Sequence, residues 1–540
     1  MKNFLKYPSL LLLTACANIA MPTGGPRDKT PPELLSSSPH NNQLNFNGKS
    51  IELVFNEDIK LKDPKEEILI VPSIGKKTLF TVKKKKLIIS PELEWLPNTT
   101  YSINFRDGVQ DITEGNPAEN LHLAFSTGPI IDSLSINGMV NDIFTEKIPL
   151  KITIALYQSD TFDIFKHTPT FFTKSDKNGK FSLPNLKAQQ YFIYAFDDKN
   201  KNLKVDSKTE KFGFRTFSIN PLSLKDSIQI PMISVDSRPL TITNIRHTDK
   251  TSRLRFNKPI DSLSIQGISS RETIYTFGSD QSELIFYNAF TKGDSIKTTL
   301  NATDSVGNKI DTVFFIKYGE IKTAEESFKV KEFPQQYDVP TRIYTYTLGF
   351  NKPISKINTD SLLVKYDTIK TVPVEIKNIK IDTLHNQVTI KTPVEELQDP
   401  EKKKTLQAQF LLGKGAFITI ANDSLKRTIK QIKVFVEDDM GTVAVKVETK
   451  EPNYIVQVMT SDNKVVQSHS NIKNYTIKNL EPMEYRLRII VDENKNGKWD
   501  SGNFYKRIEP ERIILFKSEE GKYSFPLRAN WEYGPVLIKF

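Results

Sequence analysis

The segment Asp492-Glu493-Asn494-Lys495-Asn496-Gly497-Lys498-Trp499-Asp500 carries oxygen-bearing side chains at its first, third, fifth and ninth positions and a glycine at its sixth. That spacing turns successive oxygens toward one centre, and the glycine allows the sharp turn, as a calcium-binding loop requires. The twelfth position, where a bidentate Glu would complete the shell, is Asn503. A second copy has Leu203 at the glycine position and Thr209 at the twelfth. The candidate ligands of a structural calcium ion are thus Asp492, Asn494, Asn496 and Asp500, and Asp198, Asn200, Asn202 and Asp206. The competing reading is an Asx-rich turn between two strands, with the side chains capping backbone groups.

A second pattern is Asp-Ser/Thr followed by an aliphatic residue. It places hydroxyls at Ser133, Ser227, Ser262, Ser295, Ser305, Thr312, Ser361, Thr368, Thr383 and Ser424. Ordinary composition predicts roughly one to three such triplets. The triplet resembles the O-glycosylation acceptor of exported Bacteroidota-type proteins, which implies O-glycans on these hydroxyls. Asp-Ser turns also precede apolar strands for purely structural reasons.

Little else in the sequence points to catalysis. The chain has 540 residues, one Cys and six His, so it has no intramolecular disulfide and no cysteine-based zinc cluster. No His pair has metalloprotease spacing, no Gly-rich loop opens a helix, and no G-x-S-x-G elbow is present. Scattered acids single out no glycosidase pair. No catalytic residue is assigned, and an enzyme is not expected. A net charge of +11 is modest for this length and does not point to nucleic acid. Lysine runs at Lys83 to Lys86 and Lys402 to Lys404 could attract acidic headgroups, or could simply be solvated hairpin tips.

The single cysteine closes a leader. Lys2 and Lys6 precede the apolar run Leu10 to Leu13, too short to span a bilayer, and Thr14-Ala15-Cys16 follows. Leu13-Thr14-Ala15-Cys16 resembles a bacterial lipobox. The resemblance implies cleavage before Cys16, a diacylglycerol on its thiol, and a stable acyl anchor. Residues 16–32, with four Pro and two Gly, read as an extended stalk. Together with P-T-G-G-P-R-D-K-T-P-P, the leader resembles a group of Bacteroidota-type lipoproteins. That implies outer-membrane localisation. Ala17-Asn18-Ile19-Ala20 lacks the acidic residues usual for surface export in such proteins, which leaves the membrane face open.

The elements that position these residues read as strands. Val443, Val445 and Val447 alternate with polar residues, as do Ile152, Ile154 and Leu156, and no long 3.6-period stripe appears. At this length about three to five domains are expected. Phe55-Asn56-Glu57-Asp58-Ile59, Phe256-Asn257-Lys258-Pro259-Ile260 and Phe350-Asn351-Lys352-Pro353-Ile354 repeat one motif, which resembles a strand of SbsA-type bacterial Ig-like domains. The first copy departs from it at Asp58. Leu96 to Tyr101 resembles that family's L-x-P-x-T-x-Y segment, with Tyr101 as a tyrosine corner. Asp111 to Asn116 and Asp304 to Asn308 resemble its D-x-x-G-N turn. A second repeat aligns residues 185–206 with 479–500 without gaps. It resembles carboxypeptidase-regulatory or SdrD-B-like, prealbumin-like modules.

The expected fold is all-β, a tandem array of Ig-like and prealbumin-like β-sandwiches on a lipid-anchored stalk. The order is signal peptide 1–15, stalk 16–32, Ig-like 33–128, prealbumin-like 129–236, Ig-like 237–320, divergent Ig-like 321–437 and prealbumin-like 438–540. The expected function is non-enzymatic: a lipid-anchored rod that binds or positions partners at the outer membrane. The resemblance suggests an accessory subunit of an assembly or secretion complex. Expected partners are the membrane, through Cys16, and an outer-membrane protein. The alternative is a polysaccharide-binding or hydrolytic surface lipoprotein with its site on sandwich loops.

Overall fold

The computed structural model describes residues 27–540 except 146, 207, 268–273, 279, 288–294, 323, 325, 334, 368, 385 and 398–406. Cys16, the leader, Thr368 and the Lys402–Lys404 run lie outside the described residues. Strand accounts for 47% and helix for 3%. No helix among the described residues is long and apolar enough to cross a membrane.

Alternation of side chains produces the strands. Ile51–Phe55, Ile343–Phe350 and Gly441–Glu448 each point every second residue inward, as a sheet with one buried face requires. Three stretches of chain share one topology. In the first, a sheet ordered Leu34–Ser38, Ile51–Phe55, Lys86–Ser90, Leu79–Lys83 faces one ordered Leu69–Val71, Thr100–Asn104, His122–Ser126. The third and fourth stretches repeat that order, beginning at Ile242–His247 and at Val330–Glu332. The fourth keeps that order but adds a strand to each sheet, Gln336–Asp338 to the first and Lys370–Pro373 to the second.

The other two stretches share a different plan. The strand Leu134–Asp142 lies between Lys180–Leu186 and Ile228–Met232, parallel to the latter. Gly441–Glu448 lies likewise between Asn474–Leu480 and Glu532–Lys539, again parallel to the last strand. Their second sheets, around Thr153–Tyr157 with Phe192–Phe196 and around Tyr454–Thr460 with Glu484–Val491, also correspond.

The F-N-x-x-I repeat has a physical role in each copy. Phe55, Phe256 and Phe350 end a strand in the core. The next Asn turns back to the preceding strand: Asn56, Asn257 and Asn351 Oδ1 accept from the backbone N–H of Glu33 (2.9 Å), Thr241 (3.0 Å) and Lys329 (2.7 Å). Lys258 and Lys352, each 6% exposed, then reach the turn before the last strand and pair with Asp304 and Asp423. The first copy has Glu57 there. Its counterpart Asp111, fully buried, instead accepts from the N–H groups of Glu114, Gly115 and Asn116 and the hydroxyl of Thr113. Burial pushes the Asp111 carboxyl up, but those donors outweigh it and hold it well below the usual range. Tyr101 forms the expected corner, its hydroxyl accepting from Leu96 N–H at 2.9 Å.

Each stretch has its own hydrophobic cluster. The chain is nevertheless not an extended rod, because the last module packs back onto the second. Phe504 is 4% exposed, in one cluster with Tyr157, Tyr194, Phe196, Phe212 and Phe214 of the second.

Candidate functional site

The two Asp/Asn loops occupy equivalent places. One joins Phe192–Phe196 to Phe212–Phe214, the other Glu484–Val491 to Ile513–Leu515. In the second, Asp492 Oδ1 accepts from Asn496 N–H and Oδ2 from Gly497 N–H, both at 3.0 Å. Asn494 Oδ1 accepts from Asn496 N–H at 3.0 Å, and Asn496 Oδ1 from Lys498 N–H at 2.9 Å. The amide groups of Asn494 and Asn496 both donate to Asp500 Oδ2. The first loop repeats the carboxylate pattern: Asp198 accepts from Asn202 and Leu203 N–H, and Asn200 and Asn202 accept from Asn202 and Lys204 N–H.

Sequence spacing missed the group that closes each loop. Glu511, 5% exposed, accepts from Glu493 N–H (2.9 Å) and Asp500 N–H (3.0 Å). Glu210, 1% exposed, accepts from Lys199 N–H (3.0 Å) and Asp206 N–H (2.8 Å). Burial raises the Glu511 carboxyl above its ordinary value, and the nearby Asp500 charge adds to this against the N–H donors. Glu210 stands one position past the expected twelfth; Glu511 stands seven further on, because residues 501–510 replace 207–209. The signal was present as the point where the ungapped alignment stops.

This geometry suits an Asx turn closed by a buried Glu. The loop oxygens face backbone N–H groups, and two amide N–H groups point at Asp500 where a cation would need oxygens. Among the described residues, no group of three or more His, Cys, Asp or Glu lies where it could hold a metal. As arranged, the side-chain oxygens of Asp492, Asn494 and Asn496 are engaged by backbone N–H groups of their own loop, and no role is routed through calcium. The left-handed position is Gly497 in one loop, φ 77°, and Leu203 in the other, φ 58°. A leucine there costs about 1–2 kcal/mol.

The extra residues in the second loop form the dock. Phe504 meets Phe165, Phe214 and Tyr194 with ring centroids 5.1, 5.5 and 6.0 Å away. Arg507 donates to the Tyr194 hydroxyl (2.8 Å) and to Asp160 O (2.7 Å). Glu509 pairs with Arg215 at 2.9 Å and accepts from Thr216 N–H at 2.8 Å. Asn503 and Lys506 donate to Val306 O and Gly307 O of the third module. Trp499 meets Phe144 edge-on at 4.6 Å.

The candidate hydroxyls divide by exposure. Ser133, Ser227, Ser262, Ser295, Ser305, Thr383 and Ser424 are exposed, whereas Thr312 and Ser361 are half-buried. Lys83–Lys86 is a hairpin tip, with Lys85 donating to Asn56 O and Lys86 paired with Glu52.

Residues 28–127 match the sequence profile of the bacterial Ig-like domain. No curated protein matches the chain. Among solved structures it is similar to dimeric latent PorU from Porphyromonas gingivalis, at 9% identity over 68% of this chain and 46% of that one, TM-score 0.23. The chain thus spans less than half of PorU. It is also similar to BcpA, the major pilin subunit of Bacillus cereus, at 11% identity over 76% of this chain and 99% of that one, TM-score 0.13. A third is SGBP-B of the mixed-linkage glucan utilization locus of Bacteroides ovatus, at 10% identity over 73% and 91%, TM-score 0.15. The profile match covers the first module alone; the chain as a whole is a tandem array of Ig-like β-sandwiches.

Proposed function

We propose that the chain is a non-enzymatic envelope protein, anchored by lipid on Cys16 at the outer membrane, that binds or positions a partner protein there as an accessory subunit of an assembly or secretion complex. The observation that carries this reading is the dock at residues 503–509. It ties the second, third and fifth modules together, so that their loops form one platform at fixed spacing. Sandwich modules otherwise move relative to one another by default. The lipobox-like leader and the Pro/Gly stalk supply the tether. The test is affinity capture from native outer membranes. The expected result is a stoichiometric protein complex that Cys16→Ser loses together with retention in the detergent phase. Unchanged detergent partitioning of Cys16→Ser would sink the anchor, and capture of no protein would sink the platform.

A second reading has one observation behind it. A cleft of about 630 Å³ between the third and fourth modules places Phe277 and Phe333 beside Arg253, Lys329, Asn351 and Gln387. Rings flanked by polar groups suit a saccharide. Specific elution of a glycan from the captured protein, without a protein partner, would favour it.

Glycosylation belongs to the same proposal. The seven exposed Asp-Ser/Thr hydroxyls are open to a transferase after folding. Intact mass of native material is expected to exceed peptide plus lipid; equality would rule modification out.

A further inference from the structure

The seam between the first and second modules holds a cavity of about 330 Å³. That is within the size range of small-molecule sites, roughly 300–1,000 Å³. Ile68, Ile70 and Ile74 of the first module and Phe172 and Leu203 of the second supply apolar wall. The seam is held on several sides. Ser73 N–H donates to Thr170 O at 3.0 Å, Lys76 Nζ to Asn202 O at 3.2 Å, Lys201 pairs with Glu66, and Lys151 pairs with the buried Glu67 at 2.8 Å. The space is therefore preformed rather than opened by domain motion.

Two features do not fit a mere packing gap. Lys174 lines the cavity half-buried, and its ammonium makes no hydrogen bond or ion pair among the described residues. Glu66 is taken by Lys201, and both Asp198 oxygens are taken by the N–H groups of Asn202 and Leu203. Burial holds the Lys174 ammonium below its ordinary value, offset only in part by those carboxylates. A half-buried ammonium with no direct hydrogen-bond partner is a ready counter-charge for an anion in the cavity. Leu203, the second feature, keeps a left-handed backbone at the position where the sister loop uses Gly497. The glycine would relieve that strain but remove wall from the cavity. Leucine at this position closes a side of the cavity that glycine would leave open.

We propose that this cavity binds a small amphiphile with one anionic end, its apolar body against Ile68, Ile74, Phe172 and Leu203 and its anion on Lys174. Lysine is a point charge without the fork that selects a flat anion, so the shared chemistry is a single carboxylate or phosphate monoester on an alkyl body.

Calorimetric titration of the full chain with decanoate, decyl phosphate, decanol and decylamine tests it. The anionic probes are expected to bind one per chain and decylamine not at all. The stronger of decanoate and decyl phosphate identifies the head group. Lys174→Met keeps the stem and is expected to weaken the anionic probes about tenfold to a hundredfold, with decanol little changed. Leu203→Gly is expected to weaken all binders while leaving the melting temperature unchanged or raised, which separates a lost wall from a lost fold. Absence of saturable binding by either anion, or anion binding untouched by Lys174→Met in a folded variant, overturns the proposal.

Discussion

Single side chains explain why the Ig-like repeat was legible before its purpose was. The sequence showed F-N-x-x-I at three places. What the Asn does depends on the preceding strand, which no spacing reveals: it binds the N–H of Glu33, Thr241 or Lys329. The repeat by itself names no partner for the lysine. That lysine is buried because Asp304, far along the chain, lies opposite it in the turn before the last strand. Lys258 Nζ also donates to Asp236 O and Arg238 O, so its three protons are all used. Lys258→Met leaves Asp304 buried without its cation. A loss of about 3–5 kcal/mol is expected in the third module, read as earlier urea unfolding and faster exchange of its core amides. The exposed pair Lys522–Glu520 serves as control, and Lys522→Met is expected to leave the unfolding curve where it was.

The same scale bears on the calcium reading. Spacing places Asp492, Asn494, Asn496 and Asp500 in one loop, but does not say which atom of each amide faces inward. With both amide N–H groups on Asp500, the protein is expected to melt equally in millimolar calcium and in chelator. Changing Asn494 and Asn496 together to Asp replaces two donors with two charges facing Asp500. That variant is expected to melt lower in chelator and to recover in calcium, whose effect follows RT ln(1 + [L]/Kd). A wild-type rise in calcium would show that the amides turn over to offer oxygen.

Between strands, the loops show where sequence reading ran out. The ungapped repeat ended at Asp500, and the closing Glu lay beyond it at unequal distances, so no fixed-position motif could find both. Position mattered less than burial: Glu210 and Glu511 each bridge the second and ninth residues of their loop by accepting both N–H groups. Glu210→Ala removes the buried acceptor of those two part-buried N–H groups. Each such orphan costs about 1–3 kcal/mol. The expected outcome is fast amide exchange at Lys199 and Asp206 with the sheet amides of Ile193 and Ala195 still protected, measured by hydrogen-exchange mass spectrometry. Equal protection with and without Glu210 would mean the Asx bonds alone close the loop.

At the scale of the whole molecule, composition and repeats predicted an array of sandwiches, and the structure is one. The path of that array was not legible, because it depends on ten residues, 501–510, that resemble nothing repeated elsewhere in the chain. Their effect is to fill a hole. The aromatic side chains Tyr157, Tyr194, Phe212 and Phe214 line the outer face of the second module's sheet, and Phe504 covers them. Without that cover the second module would expose a contiguous aromatic patch, which soluble domains avoid. Arg507 also satisfies the buried Tyr194 hydroxyl, which would otherwise lose its partner. Replacing 501–510 by the three residues of the first loop, Ser-Lys-Thr, should let Glu511 close the loop as Glu210 does, so the last module is expected to keep its own fold. The dock alone is lost. Small-angle scattering is then expected to show a larger radius of gyration and a longer maximum dimension, and the bared aromatic face to bind a hydrophobic dye. The milder Phe504→Ala removes a buried ring, a change that costs about 3–5 kcal/mol in a core, and is expected to populate the open form in part. Scattering curves identical to wild type for the loop replacement would mean that the contacts through Trp499 and Phe144 hold the fold-back by themselves.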